Sequence, residues 1–129
     1  MRIVWMWLER AFLLGLFLQL LLIGFGVFPR KNDPSPFALH RTWGYILGDI
    51  AVVLFLLALA ARPGWKTVVM AFVVGLLTFL VQPTLVEARK SAPVLAAFHP
   101  VDALVIFWLT LVLIRRSAAS VTAAAPKEA

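Results

Sequence analysis

The chain has 129 residues, of which 63% are hydrophobic and 14% are charged, with a formal net charge of +6. A soluble domain has about 25% charged and about 45–50% apolar residues, so this excess of apolar side chains predicts a membrane protein. The absence of cysteine excludes disulfides, thiolate metal sites, iron–sulfur clusters and covalently attached c-type haem.

Four apolar runs predict an all-α, up-down-up-down bundle of four transmembrane helices, because about 20 helical residues cross the hydrocarbon core. The first run is too long for a cleaved signal peptide and is read as a retained span. The predicted spans are residues 3–28, 36–61, 65–86 and 92–114, within one domain of residues 1–116. Residues 117–129 are small and polar, which predicts a disordered cytoplasmic tail.

The first span and the loop after it contain few polar groups. Gln19 lies inside the first run, so its amide is expected to have a hydrogen-bond partner. Prolines and Asn32-Asp33 mark a loop before the second span. Ser35 is expected to cap the second helix, with Pro36 at its first position.

The second span begins with an unusual group of ionisable residues. His40, Gly44 and Gly48 are spaced to share one helix face, and Arg41 and Asp49 lie in the same span. The glycines fit two alternatives, a closely packed neighbouring helix or a flat ligand. Asp49 lies deep enough to need a partner, with Arg10 and Gln19 as candidates; a proton relay or a quinone pocket is the functional alternative.

The third and fourth spans each contain a proline that should disturb the helix. Pro83 follows Gln82 near the end of the third span, and Pro100 follows His99 near the start of the fourth. Asp102 lies one turn beyond His99, where it is expected to orient the histidine or to pair with Arg41.

The two halves of the chain resemble each other, which suggests two tandem hairpin repeats. Each first span has a glutamine, and each second span has a proline, a histidine and, four residues later, a small residue. The paired positions are Gln19 and Gln82, Pro36 and Pro93, His40 and His99, and Gly44 and Ala103. Such a repeat would bring both histidines to the same side of the membrane.

Basic residues lie at the ends of the apolar runs, which is typical of membrane orientation rather than of nucleic-acid binding. Outside the spans, six are on the side of the two termini and four are on the other side; these are Arg2, Arg62, Lys66, Arg115, Arg116 and Lys127 against Arg30, Lys31, Arg89 and Lys90. This bias predicts cytoplasmic termini in a bacterial inner membrane.

The histidines are expected to meet across the diagonal of the bundle, where neutral imidazoles are suited to ligate a b-type haem. Gly44, Gly48 and Ala103 would admit the porphyrin, and Arg41, Arg89 or Lys90 would meet its propionates. Asp49, Asp102, Gln82 and Gln19 are candidates for supporting contacts or proton relay. The alternative for each histidine is a structural role near the interface, and a non-haem metal lacks an evident third ligand beyond Asp102 and Glu87.

The segments HRTWGYILG at 40–48 and FHPVDAL at 98–104, with Gln82 between them, resemble one four-helix half of a haem A synthase. The resemblance covers about Phe37 to Leu109 and implies that His40 and His99 are axial ligands to haem b. The synthases carry a glutamate three residues before the first histidine, where Phe37 stands here, so the synthase activity is not carried over. The chain also resembles small four-helix bacterial membrane proteins with a similar glutamine–histidine pattern.

Two functional hypotheses follow, and neither makes the chain an enzyme. The first is a haem-b membrane protein that transfers electrons, with quinone or another membrane subunit as partner. The second is a cofactor-free accessory or scaffold subunit of a larger membrane complex. A transporter has less support, because only Asp49 lies deep in a span.

Overall fold

The computed structural model describes residues 1–29 and 31–122, with side chains as far as residue 119. All regular structure in these residues is helical. The α-helices are α1 (Arg2–Val27), α2 (Ala38–Ala61), α3 (Trp65–Leu76), α4 (Gln82–Glu87), α5 (Pro93–Ala96) and α6 (His99–Thr122). A π-helical turn (Leu77–Val81) joins α3 to α4, and a 3₁₀ turn (Ala88–Lys90) follows α4.

These elements form four helical segments that are long and apolar enough to cross a membrane, as the sequence predicts. The spans are Arg2–Val27, Ala38–Ala61, Trp65–Lys90 and Pro93–Ala119. Many large apolar side chains point outward from the bundle. This outward face is the apolar surface that lipid would cover, which explains the excess of apolar residues over what a core can bury.

The spans pack in sequence around the bundle, and the first also packs against the fourth. Close contacts join α1 with α2, α2 with α3, α3 with α6 and α6 with α1. The second and fourth spans therefore face each other across the diagonal. The core between them is apolar and includes Phe12, Leu47, Leu54, Val74 and Leu113.

Two predicted boundaries are wrong. The second helix begins at Ala38 rather than at residue 36, and Ser35 does not cap it, because its N-cap position is Phe37, with no side-chain cap. The Ser35 N–H instead donates to Asp33 Oδ1 in a local turn. The predicted disorder of the tail is wrong for residues 117–122, where α6 continues to Thr122 and Ser117 is fully buried. Alanine favours a helix in this segment. Residues 123–129 lie outside the described residues.

The two predicted proline irregularities are present next to the glutamine and histidine positions. The π-helical turn ends directly before Gln82 and Pro83, as expected where proline has no N–H for the helical ladder. The fourth span is interrupted at Ala97 and Phe98, and α6 begins at His99 with Pro100 in its first turn. Both interruptions lie beside residues that face the centre of the bundle.

Gly75 allows α3 to approach α2 closely. A Cβ atom at Gly75 would lie 3.5 Å from the Ala51 carbonyl oxygen, so a larger side chain would push the two backbones apart. We expect Gly75→Leu to lower the free energy of unfolding by about 1–3 kcal/mol through overpacking, measured by circular dichroism during detergent denaturation. Gly24→Leu is the matched control, because a Cβ there meets no atom within 4 Å. Equal stability of the two variants would contradict the assigned contact.

Candidate functional site

A reciprocal pair of hydrogen bonds joins Gln19 of α1 to His40 of α2. The Gln19 amide nitrogen donates to the His40 carbonyl oxygen at 3.1 Å, and His40 Nδ1 lies 3.3 Å from the Gln19 carbonyl oxygen. Because a carbonyl only accepts, Nδ1 carries the hydrogen in this bond. Nε2 of the neutral ring then accepts from the Gln19 amide nitrogen at 3.4 Å.

The second hairpin contains the same pair of bonds between Gln82 and His99. The Gln82 amide nitrogen donates to the His99 carbonyl oxygen at 3.0 Å, and His99 Nδ1 lies 3.3 Å from the Gln82 carbonyl oxygen. The same amide nitrogen also donates to Asp102 Oδ2 at 2.8 Å. His99 therefore also has its Nδ1 engaged by backbone and its Nε2 lone pair available.

We call these two arrangements the glutamine–histidine clamps. The reciprocal pair of hydrogen bonds that the two clamps share supports the tandem repeat suggested by the sequence. The clamps differ three residues after each histidine, where the first hairpin has Trp43 and the second has Asp102. The Trp43 indole donates to the Gly15 carbonyl oxygen at 2.9 Å instead of contacting the glutamine. Consequently, only in the second clamp does the glutamine amide donate a hydrogen bond to a carboxyl group.

The two imidazoles meet across the diagonal of the bundle. Their ring centroids are 6.4 Å apart and their planes are inclined by 79°. A zinc–imidazole bond is about 2.0–2.1 Å, with similar lengths for other first-row metals, and a ring nitrogen lies about 1.1 Å from the ring centre. Two imidazoles on opposite sides of one metal ion therefore have centroids roughly 6.2–6.4 Å apart. The observed separation of 6.4 Å lies within this range.

A cavity of about 760 Å³ lies beside the histidines. Its size is within the range of about 300–1,000 Å³ found for small-molecule and cofactor sites. All of the residues predicted to surround a ligand line it except Asp102 and Lys90, and apolar groups complete the wall. The lining includes Gln19, His40, Arg41, Gly44, Gly48, Asp49, Gln82, His99 and Ala103, with Leu16, Phe37, Phe79, Val86 and Ile106 among the apolar residues.

The two predicted glycines have different surroundings. A Cβ at Gly44 would lie 3.0 Å from the Gln19 amide nitrogen, so this glycine makes room for the first clamp. A Cβ at Gly48 would lie 3.5 Å from the Phe79 Cα atom. Gly48 therefore serves the close approach of the third span, the first of the two alternatives, although it also borders the cavity.

Charged side chains lie at the end of the cavity near the histidines. Arg41 and Arg89 both line it, and both are exposed. Arg89 donates to the Val86 carbonyl oxygen at 3.1 Å and lies 3.9 Å from Glu87. Lys90 is paired with Glu87 at 2.6 Å and does not line the cavity, so the two arginines are the cations suited to an acidic group of a bound ligand.

The expected ion pairs of the two aspartates are not formed. Asp49 is exposed at the cavity, while its candidate partners are engaged elsewhere: Arg10 donates to the Met6 carbonyl oxygen and Gln19 bonds His40. Asp102 bonds Gln82 rather than Arg41, because the amide of the second clamp points toward it. Asp102 therefore contacts the same Gln82 amide nitrogen that donates to the His99 backbone carbonyl oxygen.

A second buried polar group was not predicted. Glu9 of α1 and Ser117 of α6 are both fully buried, and they are hydrogen-bonded to each other. The sequence signal was a carboxyl group inside an apolar run. No periodicity within one helix could have paired it with a serine 108 positions away.

The protein ligands available to a metal ion are restricted. Within residues 1–29 and 31–122, no group of three or more histidine, cysteine, aspartate or glutamate side chains is arranged to hold a metal ion. A bare ion between His40 and His99 would therefore receive two protein ligands. A tetrapyrrole metal, which brings four ring nitrogens of its own, needs only two.

Comparison with known proteins identifies a family but no activity. No curated protein and no solved structure matches the chain. A family model described as a family of unknown function, DUF6220, matches residues 19–88. The match begins at Gln19 and includes His40 and Gln82, while His99 lies beyond it. Because it covers more than half of the chain, the chain belongs to the DUF6220 family of unknown function.

Proposed function

We propose that this protein binds haem b between His40 and His99 and transfers electrons within the membrane. The observation that carries the proposal is the 6.4 Å separation of the two imidazole centroids, which equals the spacing for two axial ligands of one metal ion. Bound haem would supply one-electron chemistry at its iron.

The hydrogen bonding of the two histidines supports the same proposal. Ligating histidines almost always donate the second ring N–H to a carboxylate, a backbone carbonyl or water. Both Nδ1 atoms here face a backbone carbonyl, of Gln19 and of Gln82. The clamps therefore favour in each ring the tautomer with an unprotonated Nε2, the form that ligates a metal, and they fix each ring to the first helix of its own hairpin. At His40 the metal would replace the Gln19 amide as the partner of Nε2.

The cavity supports a large, flat, partly acidic ligand. Its volume of about 760 Å³ is bounded by apolar side chains and by the small residues Gly44 and Ala103. Arg41 and Arg89 are suited to hold the propionates at the same end as the histidines. The helical segments keep bulk water away from the apolar walls. Because apolar surroundings disfavour charged groups, they favour a pair of neutral imidazoles over a hydrated metal ion.

The partners and orientation that we propose follow from the charges and the size of the protein. A quinone or a redox subunit of the same membrane is the class of partner that such a site would serve. The excess of basic residues on the side of the termini supports cytoplasmic termini in a bacterial inner membrane, with the histidines near the outer face. Phe37, where haem A synthases carry a glutamate, packs against Gly26, so synthase activity is not part of the proposal.

Absorption spectroscopy tests the proposal directly. We expect protein purified from haem-supplied cells to show a Soret band and, after reduction, the split visible bands of a six-coordinate low-spin haem. The haem content should approach one per chain. A colourless protein under these conditions would contradict haem binding. It would favour the cofactor-free accessory subunit, which should instead be recovered in a larger assembly that survives the loss of both histidines.

A further inference from the structure

The buried pair of Glu9 and Ser117 lies away from the histidines. Glu9 precedes Gln19 by ten residues on α1, which is about 15 Å along a helix axis. Glu9 and Ser117 are 0% exposed, and Trp5, one turn before Glu9 on α1, is 1% exposed. This pair is therefore a separate polar group, between the first and fourth spans, on the side of the two termini.

The hydrogens available to Ser117 determine what Glu9 can be. Ser117 Oγ is within hydrogen-bond distance of a Glu9 carboxyl oxygen and of the Ile114 carbonyl oxygen, the latter at 2.9 Å. A hydroxyl group has one hydrogen, and a carbonyl oxygen can only accept. If Ser117 donates to Ile114, the hydrogen in the bond to Glu9 must come from the carboxyl group. With the Ser117 hydrogen on the Ile114 contact, a carboxylic acid at Glu9 satisfies both contacts.

The charges around Glu9 lead to the same conclusion. No lysine or arginine in the described part of the chain forms an ion pair with Glu9, and the adjacent Arg10 donates to the Met6 carbonyl oxygen. A carboxylate buried without a cation is strongly unfavourable, so such a group takes its neutral form. The other bases at this end are exposed: Arg2, Arg62, Lys66, Arg115 and Arg116.

Two further polar atoms of this group have no partner among the described residues. They are Oε1 of Glu9 and Nε1 of Trp5, which are respectively an acceptor and a donor, and both are buried. Residues four apart on a helix share a face. The two atoms therefore belong to one buried polar group on α1.

From this geometry we propose that Glu9 is a proton-binding site within the membrane-spanning bundle. The carboxylic acid donates to Ser117, and its other oxygen and the Trp5 indole are buried on the same face of α1. The ligand is a proton, taken up on the side of the termini, and the site does not depend on haem at the histidines. The function assigned to the histidines and this site can therefore fail independently.

Infrared spectroscopy of the purified protein in lipid tests this proposal at neutral pH. We expect the wild type to show the C=O stretch of a protonated carboxyl group, and Glu9→Gln to lose it. Ser117→Ala should retain the band but shift it to higher frequency, because the hydrogen bond from the acid is lost. Glu87→Gln is the matched control, since Glu87 is exposed and paired with Lys90, so the band should be unchanged.

The proposal is overturned if Glu9→Gln leaves the C=O band unchanged, or if it removes a carboxylate band instead of the C=O band. If Glu9→Gln fails to fold, Ser117→Ala and Trp5→Phe decide the matter, because both alter the surroundings of the acid without removing it. A band that moves in either variant supports the site. A band unmoved in both would show that the protonated carboxyl lies elsewhere.

Discussion

Protein in which both His40 and His99 are replaced by alanine should be purified without its haem. The two imidazoles, with centroids 6.4 Å apart, are the axial ligands in our proposal. Removing only the groups that orient a ligand costs about 10–100-fold in metal affinity, so removing both ligands should leave less than about one-tenth of the wild-type haem. Haem content per chain, from the reduced pyridine adduct, is the measurement.

The single variants and a control separate ligation from folding. His40→Ala and His99→Ala should each give a five-coordinate haem, and added imidazole should restore the six-coordinate spectrum by entering the vacated space. Thr42→Ala is the control, because Thr42 is exposed near His40 in α2, and its haem content should equal that of the wild type. A double variant that keeps the wild-type spectrum would show that the histidines are not ligands.

The membrane-spanning architecture follows from the sequence because bilayer thickness sets a minimum length for an apolar helix. The four runs are each long enough, and they are separated by prolines, glycines and charges that lipid does not accept. The ends of the helices are less determined. Ser35 and Pro36 have the composition of a helix start, but Ser35 bonds within its own loop and α2 begins at Ala38.

The meeting of His40 and His99 was predictable because helices of the same direction, with histidines at similar depth, lie on one diagonal. The clamps were not predictable. Gln19 and His40 are 21 residues apart, whereas Gln82 and His99 are 17 apart, so the repeat looks imperfect in the sequence. In each clamp the glutamine and the histidine lie at the same height in the bundle. That height depends on the length of the loop between the two helices as well as on residue number. Helical periodicity describes one helix and gives no information on this register.

The second clamp should contribute more to haem binding than the first. In it, the Gln82 amide holds both the His99 carbonyl oxygen and the Asp102 carboxyl group. In the first clamp, the Gln19 amide bonds only His40, and its own Oε1 is buried without a partner among the described residues. Loss of the Gln82 amide therefore leaves the His99 carbonyl oxygen and the Asp102 carboxyl group without this donor, next to the proposed ligand.

We expect Gln82→Leu to lower haem affinity by about 10–100-fold, the usual cost of losing a group that orients a metal ligand. The backbone carbonyl that accepts from His99 Nδ1 is retained in this variant, so His99 should still ligate and the spectrum should remain low-spin. A shift of the midpoint potential should accompany the weaker binding, because Asp102 loses its hydrogen-bond donor. Haem titration of the apoprotein and a redox titration measure the two effects.

Matched variants distinguish this positioning role from a general loss of packing. Gln19→Leu should lower haem affinity without a comparable change of potential, because no acidic group depends on its amide. Thr84→Val, in the same short helix, should change neither quantity, since Thr84 is exposed and bonds only the Leu80 carbonyl oxygen. If Gln82→Leu and Thr84→Val bind haem equally well, Gln82 does not position His99. If Gln19→Leu shifts the midpoint potential as much as Gln82→Leu does, the hydrogen bond between Gln82 and Asp102 does not set that potential.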